Sequence, residues 1–205
     1  MLIDLETIDS KHIHPILTQT VIPRPVAWVL STNPGGDYNL APYSFFTVIT
    51  SKPPILMVSV GKKPSDGSFK DTRVNLEARR QFVVHIGASE HAEAMTASSR
   101  HLDHGESELD QLDLQLVHEE DWPLPRVEGC PVALYCELRE VIEMGDTPQS
   151  LVFGDIKRVF VDDRVGSIND QGRYVIDAQG IDPIARLGGS EYSTLGDILN
   201  VPRPD

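Results

Sequence analysis

Three apolar, β-branched runs follow one another early in this chain with turn residues and no helical pattern between them: Val26–Ser31, Phe45–Thr50 and Ile55–Gly61. Strands laid down in that way pair as antiparallel neighbours, because parallel neighbours need a long crossover, usually a helix. The punctuation agrees. Asn33-Pro34-Gly35-Gly36-Asp37 follows the first run and Pro53-Pro54 precedes the third, both turn-forming combinations. Later runs at Phe82–Gly87, Ala133–Ile142, Leu151–Val161 and Tyr174–Asp177 bring the expected strands to seven. Such a set predicts a mainly β fold with a few helices, closed or nearly closed into a barrel.

Three helices are expected. Asp71 is placed to cap one over Thr72–Arg80 and Ser89 to cap one over Glu90–Ser99. Asp182-Pro183 followed by Gly188-Gly189 reads as a short third. No repeat, low-complexity tract or long linker divides the 205 residues. We therefore expect one domain over 1–205, with a core at about 20–190 and an extension at about 191–205.

Charge excludes some partners. The chain carries a net −13, which repels nucleic acid. Within it, Lys62, Lys63, Lys70, Arg73, Arg79 and Arg80 crowd one short stretch against only Asp66, Asp71 and Glu77. That segment is positive in an acidic protein, as a small-anion site or a solvated helix face would be. The first ten residues lack the basic and apolar regions of a secretory leader, and no apolar run is long enough to span a bilayer. A cytoplasmic setting is the expectation. Cys130 and Cys136 would lie about 20 Å apart along one strand, too far for a disulfide, so both are expected as reduced core residues.

There is no G-x-G-x-x-G opening a helix, no P-loop and no G-x-S-x-G elbow, so dinucleotide-domain, P-loop and α/β-hydrolase chemistry is not expected. Two segments stand out instead. Pro23-Arg24-Pro25 leads through Thr32 and a Gly-rich turn to Asn39-Leu40-Ala41-Pro42-Tyr43-Ser44-Phe45-Phe46. Such an edge can hydrogen-bond a flat heterocycle, and the same pattern suits a hairpin with a polar tip. In Gly67-Ser68-Phe69-Lys70-Asp71-Thr72-Arg73-Val74-Asn75, Lys70, the Thr72 hydroxyl and the amides of an opening helix could converge on a phosphate. A simple capped helix with a solvated Lys70 fits as well.

Taken in register with Pro53-Pro54, Phe82-Val83-Val84-His85, Cys130-Pro131-Val132, Val152-Phe153-Gly154 and Asp182-Pro183 through Gly188-Gly189 to Tyr192, these segments resemble the flavin reductase-like family of FMN-binding split-barrel proteins. That resemblance implies a Greek-key-like split barrel, non-covalent FMN and a homodimer. It implies that Arg24, Thr32, Asn39, Ala41, Pro42, Ser44 and Phe45 lie along the flavin ring and ribityl chain. Ser59, Lys70, Asp71, Thr72 and Asn75 would lie about the ribityl and phosphate end. Arg186 and Tyr192 would approach the same site, from either subunit. Tyr43 departs from the commoner Phe and His85 from the commoner Asn, and His85 reads as a core or interface residue.

The activity implied is hydride transfer from NAD(P)H to bound FMN, with a small-molecule electron donor and acceptor. The alternatives are an FMN-binding electron-transfer module without NAD(P)H turnover, and an FMN-dependent oxidase acting on a small organic substrate. No protein acid, base or nucleophile is required, since the cofactor carries the chemistry. His101, His104 and Glu106 have a spacing that could chelate a metal, but Gly105 among them points to a loop, and no metal site is expected. His12, His14 and the Glu119-Glu120-Asp121 run read as surface.

Overall fold

The computed structural model describes residues 1–204. Seven of its strands form one sheet: β1 (Ala27–Thr32), β2 (Tyr38–Tyr43), β3 (Phe46–Ser51), β4 (Pro54–Val60), β5 (Gln81–Ile86), β6 (Val132–Glu143) and β7 (Ser150–Val161). The order is β2-β1-β5-β6-β7-β4-β3, and every neighbouring pair is antiparallel. The two edges, β2 and β3, are consecutive in the chain and separated only by Ser44 and Phe45. The three Cα–Cα steps from Tyr43 to Phe46 span at most about 11 Å. The sheet must therefore curl until its first and last strands meet. That requirement makes it a barrel, and Ser44–Phe45 is the seam. The Ser59 amide fastens the seam by donating to the Phe45 carbonyl at 2.8 Å.

Apart from β3, whose residues are mostly exposed, the sheet is buried on both faces over most of its length. Ala27, Val29, Tyr43, Leu56, Val58, Val60, Phe82, Val84, Cys136, Leu138 and Val152 fill the enclosed side, which Leu76 of α2 (Asp71–Arg79) closes at one end. Gly154 of β7 is a glycine for a packing reason, because a Cβ there would overlap the edge of the fully buried Phe82 ring. Outside, Trp28, Leu30, Leu40, Val83 and Tyr135 lie under Met95 of a short helix (Ala92–Ala97) and under Leu124 and Val127. This double burial explains why β1 shows no apolar–polar alternation.

His85 belongs to that core. Its ring is fully buried, with Nδ1 2.9 Å from the Trp28 carbonyl and Nε2 2.9 Å from the Val127 amide. An amide N–H can only donate, so Nε2 is the acceptor and Nδ1 carries the proton. Burial pushes the pKa down to about 4.

Several expectations need correction. Tyr38–Tyr43 is a full strand, an edge on which Pro42 costs no ladder bond. Helix α1 (Ile13–Thr20) was not anticipated. Asp71 is the first helical residue rather than the cap; Lys70 holds the cap position without a side-chain bond. Ser89 opens a 3₁₀ turn and gives its hydroxyl to Asp182. The short helix expected at 182–189 is absent. It lies upstream, at Ala178–Ile181, where the Asp177 carboxylate accepts from the Gln179 amide at 3.0 Å. Asp182 ends it at φ 45°, and Pro183 has no N–H to extend it. Ala185–Arg186 is instead a strand between Arg24–Pro25 and Tyr192–Ser193. Tyr174–Ile176 pairs with Gly166–Ile168 in a separate hairpin.

Candidate active site

The seam opens into two recesses that share Pro42, Tyr43 and Lys70. The narrow one, about 60 Å³, lies between β2, the start of α2 and the Ser98–Leu102 segment. The wide one, about 610 Å³, is walled by α1, Ser44, Phe45, Ser59, Lys62, Gln149 and Arg186. That volume suits a planar multi-ring ligand. Eleven of the fourteen residues singled out from sequence line one or both. Asn39, Ala41, Asp71 and Thr72 are in the narrow recess, Arg24, Ser44, Phe45, Ser59 and Arg186 in the wide cleft, and Pro42 and Lys70 in both.

Three stand back. Asn75 donates to Ser31 Oγ at 3.2 Å and to Asn33 Oδ1 at 2.8 Å, tying α2 to the end of β1. Thr32 ends β1 opposite Tyr38. Tyr192 lies beneath Arg186, its ring centroid 4.5 Å from the guanidinium carbon.

Thr72 is the hub of the narrow recess. Its Oγ1 accepts from Asn39 Nδ2 at 2.9 Å and from the Tyr43 hydroxyl at 2.8 Å. A hydroxyl oxygen has two lone pairs, and both are taken. The Thr72 proton is thus left to donate, toward the recess that Thr72 lines. Burial holds the Tyr43 phenol well above its ordinary pKa, so it stays a donor. Beside it, Lys70 Nζ sits 5.4 Å from the Tyr43 ring centroid. Burial lowers the Lys70 pKa, and among the described residues Lys70 has no ion-pair partner. An obligate donor beside a half-buried ammonium without an ion-pair partner suits an anionic oxygen.

The acids of this recess are compensated. The Asp71 carboxylate meets Lys63 Nζ at 3.2 Å and bonds His104 Nδ1. His104 is therefore committed to the helix opening, and no metal-type cluster of His, Cys, Asp and Glu occurs among the described residues. Glu108 is buried, and its Oε2 accepts from the Leu40 amide at 2.8 Å. Burial pushes its pKa up to about 7. A raised carboxyl pKa means the folded state binds the proton more tightly, so stability is greatest below the unfolded value and declines as pH rises to about 7. Glu108→Gln keeps an acceptor for Leu40 and removes the titration. Urea melts should show the variant gaining up to about 3 kcal/mol over the parent at pH 8, and almost nothing at pH 4.

Sequence reasoning missed Glu108, Thr18 of α1 and Gln149, which accepts from Ser59 Oγ at 3.1 Å; Lys63 entered only as part of the basic segment, and His14, read as surface, lines the wide cleft. For Tyr43 the signal was present. A hydroxyl where the resembled pattern carries Phe had a buried partner to find.

The profile of the "Flavin reductase like domain" family matches residues 19–176. The chain belongs to that family. The BH2278 protein of Halalkalibacterium halodurans is 32% identical, with 100% of this chain and 97% of that protein covered. Among solved structures, nitrilotriacetate monooxygenase component B from Bacillus cereus is 32% identical, with a TM-score of 0.87 and 98% of each chain covered. The Pseudomonas fluorescens 2-nitrobenzoate 2-nitroreductase is 28% identical, with a TM-score of 0.85, covering 100% of this chain and 96% of that one. The split-barrel expectation holds, and the flavin reductase-like assignment reaches well beyond the motifs around the seam. No helix among the described residues is long and apolar enough to cross a membrane.

Proposed function

We propose that this protein is an FMN-dependent oxidoreductase in which NAD(P)H reduces FMN held at the barrel seam. The observation that carries the reading is the pairing of Thr72, obliged to donate, with Lys70, an ammonium without a counter-ion, at the neck between a narrow polar recess and a ring-sized cleft. Residues of this kind fit a phosphorylated flavin. Lys70 and Thr72 would hold its phosphate or ribityl oxygens. The β2 edge from Asn39 to Tyr43, continuing through Ser44 and Phe45, would carry its ring, with Ser59 beside them. When bound, the flavin supplies a ring nitrogen that accepts hydride from the nicotinamide. The chain's own work is placement and the exclusion of water, and no side chain is assigned a proton transfer.

A homodimer is part of the same reading. Leu17, Val21 and Ile22 next to one wall of the cleft, and Phe45, Val48 and Ile49 on the β3 side, are 40 to 63% exposed. So much apolar surface near a site suits cover by a second copy. An FMN-binding module without turnover is the competing reading. Anaerobic stopped-flow mixing of the FMN-loaded protein with NADH and with NADPH separates the two. Bleaching of the flavin band by either nucleotide at catalytic rates is expected, and a persistent yellow band with both removes the reductase assignment.

A further inference from the structure

Arg24 and Arg186 stand directly opposite each other in the antiparallel pairing of Arg24–Pro25 with Ala185–Arg186. Like charges in that relation repel. The effect is visible on Arg24, whose pKa is lowered by burial first and by the Arg186 charge second. Both guanidinium groups line the wide cleft with Lys62 and Lys70, and no aspartate or glutamate joins them. In a chain of net −13, four cations around one cleft without a single acid make a preformed site for an anion.

The two arginines differ in what they have left to give. Arg24 is spent on the backbone. Its Nη1 donates to the Thr18 carbonyl and, at 3.1 Å, to Val21, its Nη2 to Leu187 at 2.8 Å, and its Nε approaches Ser44 Oγ at 3.4 Å. It is a fixed positive background. Arg186 is held by one prong only, through Nη2 to the Gly189 carbonyl at 2.6 Å, while its plane rests on Tyr192. Its Nη1 is buried and has no partner among the described residues. A buried donor without an acceptor is costly, and a small turn of the guanidinium would present it to an acceptor in the cleft.

The rest of the cleft narrows the ligand's chemistry. Phe45, Pro15, Pro42 and Leu187 offer flat or apolar walls beside the arginine. A guanidinium fork pairs with carboxylate and phosphate alike, so it is the flat walls beside Arg186 that favour an acid carried on a planar ring. We propose that Arg186 reads the carboxylate of a small planar aromatic acid, which occupies the wide cleft as the second ligand alongside the flavin. The proposal rests on the flavin reading above for the position of the first ligand, and it assigns Arg186 to the second ligand instead of to FMN.

The test uses the FMN-loaded protein and benzoate as probe, followed by the shift of the visible flavin spectrum and by calorimetry. Arg186→Met should raise the benzoate dissociation constant about 10- to 100-fold, the loss of one charge-assisted interaction. FMN affinity should stay within about twofold, and Arg186→Lys should restore part of the benzoate affinity. Neutral benzamide should bind the parent at least about tenfold more weakly than benzoate. An unchanged benzoate constant in Arg186→Met overturns the proposal, as does equal binding of benzamide. Inorganic phosphate binding as tightly as benzoate, and lost in the same variant, overturns the carboxylate assignment. A fall in FMN affinity without a change for benzoate returns Arg186 to the cofactor. Should the parent fail to bind FMN at all, the flavin reading falls, while calorimetry of benzoate on the ligand-free parent and Arg186→Met still decides the arginine's role.

Discussion

An FMN titration of the Lys70→Ala, Thr72→Ala double variant should return a dissociation constant at least about 100-fold above the parent's. A hydrogen bond from an ammonium to an anionic oxygen is worth about 1.5–3 kcal/mol, and one from a hydroxyl adds about 1 kcal/mol. Together they amount to about two to three powers of ten in affinity. The single variants separate two effects. Among the described residues the Lys70 ammonium makes no hydrogen bond, and it stacks only loosely on Tyr43, so Lys70→Ala should weaken FMN binding and leave the thermal midpoint nearly unchanged. Thr72→Ala should also destabilise the fold, because Asn39 Nδ2 and the buried Tyr43 hydroxyl lose the acceptor they share. Thr72→Ser retains that oxygen and should retain both properties. Full FMN affinity in the double variant would remove the site from the seam.

Replacing His85 should cost the outer face of the sheet several kcal/mol although it is a polar residue. His85→Leu fills much of the same volume but orphans the Trp28 carbonyl and the Val127 amide. Two buried groups without partners amount to about 2–5 kcal/mol, offset only in part by the greater apolarity of leucine. At about 2–4 °C per kcal/mol for a chain of this size, the melting temperature should drop by roughly 5–15 °C. The parent should also show an acid limb. With the folded pKa near 4 and an unfolded value near 6.5, the unfolded chain binds the proton first. Stability is full above about pH 6.5 and falls by up to about 3 kcal/mol as pH approaches 4. Glu108 acts with the opposite sign over an overlapping range, so each limb is visible only as the difference between parent and variant. His85→Gln offers both a donor and an acceptor but does not titrate, and should flatten the acid limb. A parent-like pH profile in His85→Gln would contradict the buried neutral imidazole.

Most of the barrel was legible because β1, β4, β5, β6 and β7 are rich in valine, isoleucine and aromatic residues, which state their preference locally. Strand β2 was not, since Asn39 and Pro42 are poor strand formers and the segment is held by its register with β1, from Ala27↔Tyr43 to Thr32↔Tyr38. Ala185–Arg186 was misread for a related reason. Pro183 and Gly188-Gly189 imitate helix punctuation, while the strand depends on a partner more than 150 residues upstream. For the site, the motif residues carried the location. Its electrostatics were hidden, because a glutamate such as Glu108 advertises nothing about burial until β2 folds over it, and Thr72 becomes an obligate donor only once Asn39 and Tyr43 arrive from another strand.

The dipeptide that joins the first and last strands of the sheet sets an order of events. Ser44 and Phe45 are neighbours of both edges along the chain, yet five other strands, the last ending at Val161, have to be in place before those edges face each other. Ring completion is a long-range event although the residues that perform it are adjacent. A partly folded chain can hold a formed α2 and still offer no place for a ligand. A molecule seated across that junction would touch both ends of the ladder at once, favouring the completed ring over every opened form by an amount that grows with the ratio of its free concentration to its dissociation constant.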